Sequence, residues 1–181
     1  MKKLVFATLM CLAAMSAKAQ VLTSKTVSNV YEQVSSQTES DYAFNAERTA
    51  GDITTMYVYQ KTLNRKGEVS LHPHLKYAYE YAADGTLASR VTYRWSNSLR
   101  DWLCASRYDY TLEHDSYRAE YSRYNHQTDS FDQPVERMVY TLFNGDMVNC
   151  VSCYHRERPT SPFQLDCQVA VSGLPQLFAG K

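Results

Sequence analysis

The chain has 181 residues with 19 basic and 19 acidic side chains, so its formal net charge is zero. Hydrophobic residues make up 44% and charged residues 21%, which excludes an extended disordered chain, since that needs few apolar residues and a large net charge. There is no basic excess to neutralise phosphates, so electrostatically driven nucleic-acid binding is excluded too.

Residues 1–19 read MKKLVFATLMCLAAMSAKA. Lys2 and Lys3 form a positive start, Leu4 to Met15 is apolar, and Ala17-Lys18-Ala19 is a small-x-small cleavage site. This is the pattern of a secretory signal peptide. The apolar stretch is too short to span a bilayer, which needs roughly 20 residues. Cys11 follows Thr8-Leu9-Met10 inside that stretch, which argues against lipidation. Cleavage leaves residues 20–181, with 16 basic against 19 acidic side chains. No later run is apolar enough to cross a membrane. The expected location is the periplasm or the exterior of a bacterium.

Export bears on the cysteines. Cys104, Cys150, Cys153 and Cys167 remain, and in an oxidising compartment four thiols pair in any of three connectivities. Cys150 and Cys153 form a C-x-x-C. A redox pair of that spacing needs a helix N-terminus to lower its thiolate pKa, whereas MVNCVSCYH reads as a strand. On a strand the two sulfurs point to opposite faces. A zinc site would need further ligands, and no second C-x-x-C exists. All four are candidates for structural disulfides.

From residue 53 to 156 the chain reads as strands. The unusual count is tyrosine, 15 Tyr beside 2 Trp and 6 Phe, and these rings recur at every second position. Tyr57 and Tyr59 alternate, as do Tyr77, Tyr79 and Tyr81; Tyr93 pairs with Trp95, and Tyr108 with Tyr110. A period of two is the strand signal, and these are strand-favouring residues. Between the runs lie Lys66-Gly67, Asp84-Gly85, Asn97-Ser98, Glu113-His114-Asp115, Asn125-His126-Gln127 and Asn144-Gly145-Asp146. Asp-Gly and Asn-Gly are strong hairpin signals because both residues accept positive φ. An internal repeat accompanies them: Arg90, Tyr93, Asn97 and Asp101 recur 28 residues on as Arg118, Tyr121, Asn125 and Asp129.

Simple alternation divides each strand into two faces. Leu87, Val91, Tyr93 and Trp95 oppose Arg90, Thr92 and Arg94. Trp102, Cys104, Tyr108, Tyr110 and Leu112 oppose Arg107, Asp109 and Thr111. Leu75, Tyr77, Tyr79 and Tyr81 oppose Lys76 and Glu80. The expectation is one aromatic face and one charged, solvated face. The aromatic face needs a cover. Val27, Val30, Tyr31 and Val34 fall at helical spacing, although the serines around them weaken a helix. The tail from Phe163 to Phe178 is apolar in patches. Arg158-Pro159-Thr160-Ser161-Pro162 separates it from the strands as a loop, and Cys167 could tie it to Cys150 or Cys153. The predicted fold is all-β: an extended antiparallel meander of repeated hairpins forming a single curled sheet, with short N- and C-terminal covering segments. Its parts are a signal peptide (1–19), a lead segment (20–52), the hairpin domain (53–156) and a C-terminal tail packing on the sheet (157–181).

The leader, together with repeats of the form Tyr93-Arg-Trp95-Ser-Asn97, Asp101-Trp102 and Tyr108-Asp-Tyr110, resembles the Bacteroides-type secreted proteins known as domain of unknown function 3836. The repeats are also similar to tyrosine–aspartate repeats of bacterial surface proteins. The resemblance covers about 53–156. It implies a Gram-negative exported β protein and supplies no catalytic residues.

Catalytic signatures are not visible. There is no G-x-S-x-G elbow, no catalytic-cysteine motif and no phosphate-cradling loop. His72-Pro73-His74 offers two imidazoles without a third ligand, so no metal is expected, and no cofactor is indicated. His114 and His126 sit in turns, and His155 at a strand end. Glu80, Asp109 and Glu120 lie in strands, where solvated acids are usual. The best lead is the aromatic strip Tyr77, Tyr79, Tyr81, Tyr93, Trp95, Trp102, Tyr108 and Tyr110. Such rings join a flat apolar body to a polar edge and suit sugars and protein hot spots; alternating rings are more often simply core. The expected function is a non-catalytic exported interaction protein for an unknown protein or glycan partner, with homodimerisation through the sheet as one route. The alternatives are a carbohydrate-binding module, or a periplasmic enzyme or protease inhibitor.

Overall fold

The computed structural model describes residues 21–37, 39–143 and 147–170. The signal-peptide reading of residues 1–19, the turn at Asn144-Gly145-Asp146 and the end of the tail lie outside the described residues. Among the described residues one helix, α1 (Ser24–Ser35), precedes ten strands: β1 (Tyr42–Thr49), β2 (Asp52–Leu63), β3 (Val69–Tyr81), β4 (Leu87–Ser96), β5 (Asp101–Leu112), β6 (Ser116–Asn125), β7 (Ser130–Phe131), β8 (Glu136–Phe143), β9 (Met147–His155) and β10 (Gln164–Ala170). They form one open antiparallel sheet in chain order, except that the two-residue β7 pairs with the far end of β6 beside β8. This is the predicted meander.

Local sequence explains the boundaries. Thr23 caps α1 reciprocally: its side chain accepts from the Thr26 N–H at 3.3 Å, and its own N–H donates to the Thr26 hydroxyl at 3.3 Å. Val27 and Val34 fall one above another on the buried stripe. Tight turns follow where positive φ is tolerated, at Gly67 and Gly85, and at Ala50-Gly51 between β1 and β2. β1 lies in the expected lead segment. Its Phe44 and Ala46 add to the core, but Tyr42 and Phe44 are its only rings and the rest of the strand is largely polar, so the periodic signal is short. The tail departs from expectation differently. Residues 164–170 do not lie across the sheet; they extend it as edge strand β10, exposed throughout.

The alternation is interrupted by β-bulges, and these decide which face each ring takes. Across β2 and β3, Val58 opposes Leu75 but Tyr59 opposes Pro73, so His74 is the extra residue. Across β3 and β4, Glu80 opposes Ser89 but Tyr81 opposes Leu87, so Ala88 is extra. Across β4 and β5, Thr92 opposes Ser106 but Tyr93 opposes Cys104, so Ala105 is extra. Each bulge moves the following side chains to the other side of the pleat. The expectation of a single aromatic face is therefore corrected: the rings divide between both faces.

The face that carries α1 holds Tyr77, Tyr79, Tyr81, Tyr108, Tyr110, Tyr117, Tyr121 and Tyr140, related by cross-strand pairing. Under α1 the core is Val27 with Ile53, Met56, Val58 and Tyr77. Farther along the same face, Val21 and Leu22 pack on a second cluster of Tyr117, Leu142 and Val148. The chain before α1 is tied there by two backbone bonds, Ser24 N–H to Gly85 O at 3.0 Å and Leu87 N–H to Leu22 O at 2.9 Å. Tyr117, only 2% exposed, sends its hydroxyl to the carbonyl of Leu87, two strands away, at 3.1 Å.

Arg90 was expected on the charged face. It lies instead in the tyrosine row Tyr79–Arg90–Tyr108–Tyr121 that crosses β3 to β6. Its guanidinium sits 4.9 Å from the Tyr108 ring centre and 5.3 Å from that of Tyr77. Stacking of this kind is worth on the order of 2 kcal/mol when desolvated. Arg90 shares its side with Thr92 and Arg94, as simple alternation requires, and the bulge at Ala88 brings Leu87 to the same side.

Two outcomes follow from this packing. Tyr117→Phe is expected to cost about 1 kcal/mol by loss of the Leu87 bond, and Tyr117→Ala about 3–5 kcal/mol by cavity formation, both read from urea denaturation. Burial also raises the phenols of Tyr77 and Tyr117 above the ordinary value of 10.0. The folded state then keeps protons that the unfolded chain releases above pH 10, so stability falls as pH rises past 10. Each such group contributes up to about 1.4 kcal/mol per pH unit. Alkaline unfolding monitored by circular dichroism should be correspondingly steep, and coincident with tyrosinate absorbance.

Candidate functional site

The face opposite α1 carries the other rings. Tyr57 opposes Lys76, Lys76 opposes Tyr93, and Tyr93 opposes Cys104, so these side chains from β2 to β5 share one side. Trp95 opposes Trp102 on the same side. The rings form one connected patch. Tyr59 and Tyr57 stack at 6.4 Å, Tyr57 meets Trp102 at 6.0 Å across the two strands between them, and Trp102 meets Trp95 edge-on at 5.2 Å.

Lys76 lies inside this patch. Its ammonium is 4.1 Å from the Tyr93 ring centre and 5.7 Å from that of Trp102. The cation holds both rings at once, at about 0.5–1 kcal/mol for an exposed pair. Tyr57 is further fixed by its hydroxyl, which donates to Glu47 Oε1 at 3.0 Å. The Glu47 carboxylate and partial burial raise the Tyr57 phenol, with desolvation the larger cause. Burial likewise raises the Tyr93 phenol and the Cys104 thiol beside it. Tyr124 of β6 adjoins the patch and hydrogen-bonds Asp129, which pushes its phenol up to about 12.

Both covering elements, α1 and Val21–Leu22, pack on the opposite face, and Tyr57, Tyr59, Tyr93, Trp95 and Trp102 are left half-buried. The remainder of this face is ionic. Arg107 pairs with Asp109 at 2.9 Å and Arg137 with Glu120 at 2.6 Å, and Phe163 sits 3.9 Å from the Arg137 guanidinium and 4.7 Å from that of Arg156. An aromatic half therefore adjoins a neutralised charged half.

Of the eight rings singled out from sequence, Tyr93, Trp95 and Trp102 come together here. Tyr77, Tyr79, Tyr81, Tyr108 and Tyr110 belong to the helix face, where burial raises all five phenols. Tyr81 additionally donates to the Ile53 carbonyl at 2.8 Å. Tyr57, Tyr59 and Lys76 complete the patch and were missed as site residues, though the Tyr57–Tyr59 alternation was visible. The cysteines divide as well: Cys104 joins the patch, Cys150 and Cys153 take opposite faces as expected of that spacing, and all four described cysteines are thiols. His72 hydrogen-bonds Thr62 at 3.0 Å, and among the described residues no group of three metal-binding side chains converges.

A family model described as a family of unknown function, DUF3836, matches residues 1–142. The chain belongs to this family. A crystal structure of a Bacteroides fragilis protein with unknown function shares the fold at 21% identity and TM-score 0.62, covering 73% of this chain and 93% of that one. DUF3836 proteins from Bacteroides vulgatus and Parabacteroides distasonis match at 18% and 17% identity, with TM-scores of 0.46 and 0.49. They cover 51% and 58% of this chain, and 89% and 94% of their own. No curated protein matches. The resemblance to tyrosine–aspartate repeats finds no support in these comparisons. In the structure the two copies put equivalent residues on opposite faces: Arg90 opposes Tyr79 on the helix face, whereas Arg118 opposes Val139 on the other.

The bulge at Ala105 is what keeps Trp102 and Cys104 on the side opposite α1 while Tyr108 and Tyr110 stay in the core. Deleting Ala105 from this DUF3836 chain should force one set onto the wrong face and cost on the order of 4 kcal/mol. Ala105→Gly keeps the bulge and should cost about 1 kcal/mol or less. Urea denaturation of the two variants measures the difference.

Proposed function

We propose that this DUF3836 protein is exported and acts as a non-catalytic interaction protein, with the patch of Tyr57, Tyr59, Lys76, Tyr93, Trp95 and Trp102 as its partner-binding surface. The observation that carries this reading is the aromatic patch itself. A sheet already supplied with a core on one face has placed connected rings and a stacked cation on the other, where a core does not need them. Aromatic rings with polar edges are the residues from which binding hot spots are made. Export is supported by Lys2-Lys3, the apolar run and Ala17-Lys18-Ala19.

A second reading is a carbohydrate-binding module. It is favoured by the stacking of Tyr57 on Tyr59, with ring planes 30° apart, which offers two similarly inclined rings to a sugar.

Both tryptophans of the chain lie in the patch, so intrinsic fluorescence reports on it directly. The purified protein is titrated with soluble dietary polysaccharides and mucin glycans, and in parallel with surface proteins from co-resident bacteria. The expected result is an emission shift with one partner class, a tenfold or greater loss of affinity in Trp102→Ala and Trp95→Ala, and Tm values near that of the parent. Binding by glycans selects the second reading. Unfolding of both variants would show the rings to be core and overturn the proposal.

A further inference from the structure

Three of the five cysteines, Cys150, Cys153 and Cys167, lie beyond residue 142, where the family match ends. They fall in the hairpin of β9 and β10. Cys153 and Cys167 are direct cross-strand partners. Side chains so placed have Cβ atoms about 4.5–5.5 Å apart, and a disulfide needs roughly 3.5–4.5 Å, so closure requires a movement of about 1 Å. The register irregularity between Leu165 and Cys167 gives the backbone local freedom for it. The two thiols are already close enough for Cys167 to act on Cys153, which burial and that neighbour push up to about 12. The other thiols are excluded as partners by position. Cys150 opposes Thr141, whereas Cys153 opposes Met138 on the other face, and Cys104 on β5 is separated from β9 by β6 and β8.

We propose that Cys153 and Cys167 form a cross-strand disulfide that fastens edge strand β10 to the sheet. The oxidant is a small-molecule or protein disulfide. Exposed Cys167 attacks it as thiolate, forming a mixed disulfide and releasing one thiol. Cys153 then attacks the Cys167 sulfur as thiolate, breaks the mixed disulfide and releases the second thiol. Two protein thiols and one disulfide give one protein disulfide and two thiols, with the protons passing to the leaving groups. The device has a physical purpose. Every residue of β10 is exposed, including Leu165 and Val169. Besides its backbone ladder it is held by Gln168 on Ser152 at 3.1 Å and by Asp166 on His155 at 2.7 Å, the second pair at the surface. An edge strand so lightly held frays, and an unpaired β9 edge invites pairing with another chain.

The test equilibrates the full-length chain, purified reduced, with oxidised and reduced glutathione. Iodoacetamide labelling and non-reducing peptide mapping follow. The expected result is one linked peptide pair joining Cys153 to Cys167, with the remaining three thiols alkylated. Cys153→Ser should leave Cys167 as a glutathione adduct, and hydrogen exchange of β10 should be faster in that variant than in the oxidised parent. Linkage through Cys104 or Cys150, or five alkylated thiols at oxidising glutathione ratios, would overturn the proposal. A linked pair with no change in β10 exchange would overturn its fastening role.

Discussion

The structure depends on the parity of a pleated strand and on the single residues that reset it. Side chains alternate strictly along a strand, so a long meander of alternating tyrosines would stack all its rings on one side. His74, Ala88 and Ala105 are each an extra residue in their pair of strands. Their combined effect is to give β2 through β5 rings on both sides. One side then acquires a core that a helix and the N-terminal segment can cover, and the other acquires a patch.

The covered side combines an aliphatic core with a row of phenols. Tyrosine rings bury much apolar surface, but each hydroxyl needs a partner or a polar neighbour. The sheet meets this need through main-chain carbonyls: Tyr117 reaches Leu87 and Tyr81 reaches Ile53. Arg90 supplies a cation between ring faces and lowers the phenols around it, against the stronger upward effect of burial. The same residue links three neighbouring strands, since from β4 its guanidinium lies over Tyr77 of β3 and Tyr108 of β5.

Much of this architecture was legible in the sequence. Period-two tyrosines between Gly-containing turns announced an antiparallel meander, and the spacing of Val27, Tyr31 and Val34 marked α1. β1 escapes the sequence because YAFNAERT holds only Tyr42 and Phe44 before it turns largely polar, and its turn at Ala50-Gly51 lacks Asn or Asp. The tail was expected to lie over the sheet because its apolar residues are patchy; its pairing with β9 is a matter of backbone register that composition does not encode. The bulges were invisible for a physical reason. Ala88 and Ala105 adopt the bulge without the positive φ that would have required glycine, so nothing in residue type distinguishes them from a strand interior. Since the candidate site depends on them, the site was legible as a set of rings but not as a surface. Alternation groups Arg90, Thr92 and Arg94 on one side, but only the register shows that this side is the covered one.

Two ring populations facing opposite ways, one beneath α1 and the N-terminal segment and one without that cover, is the claim that joins the fold to the proposed binding role. Hydroxyl-radical footprinting with mass spectrometry reads it ring by ring. Tyr57, Tyr59, Tyr93, Trp95 and Trp102 should oxidise several-fold faster, after correction for intrinsic reactivity, than the buried Tyr77 and Tyr117. Equal rates in the two groups, or slower oxidation of Trp95 and Trp102 than of Tyr117, would contradict it.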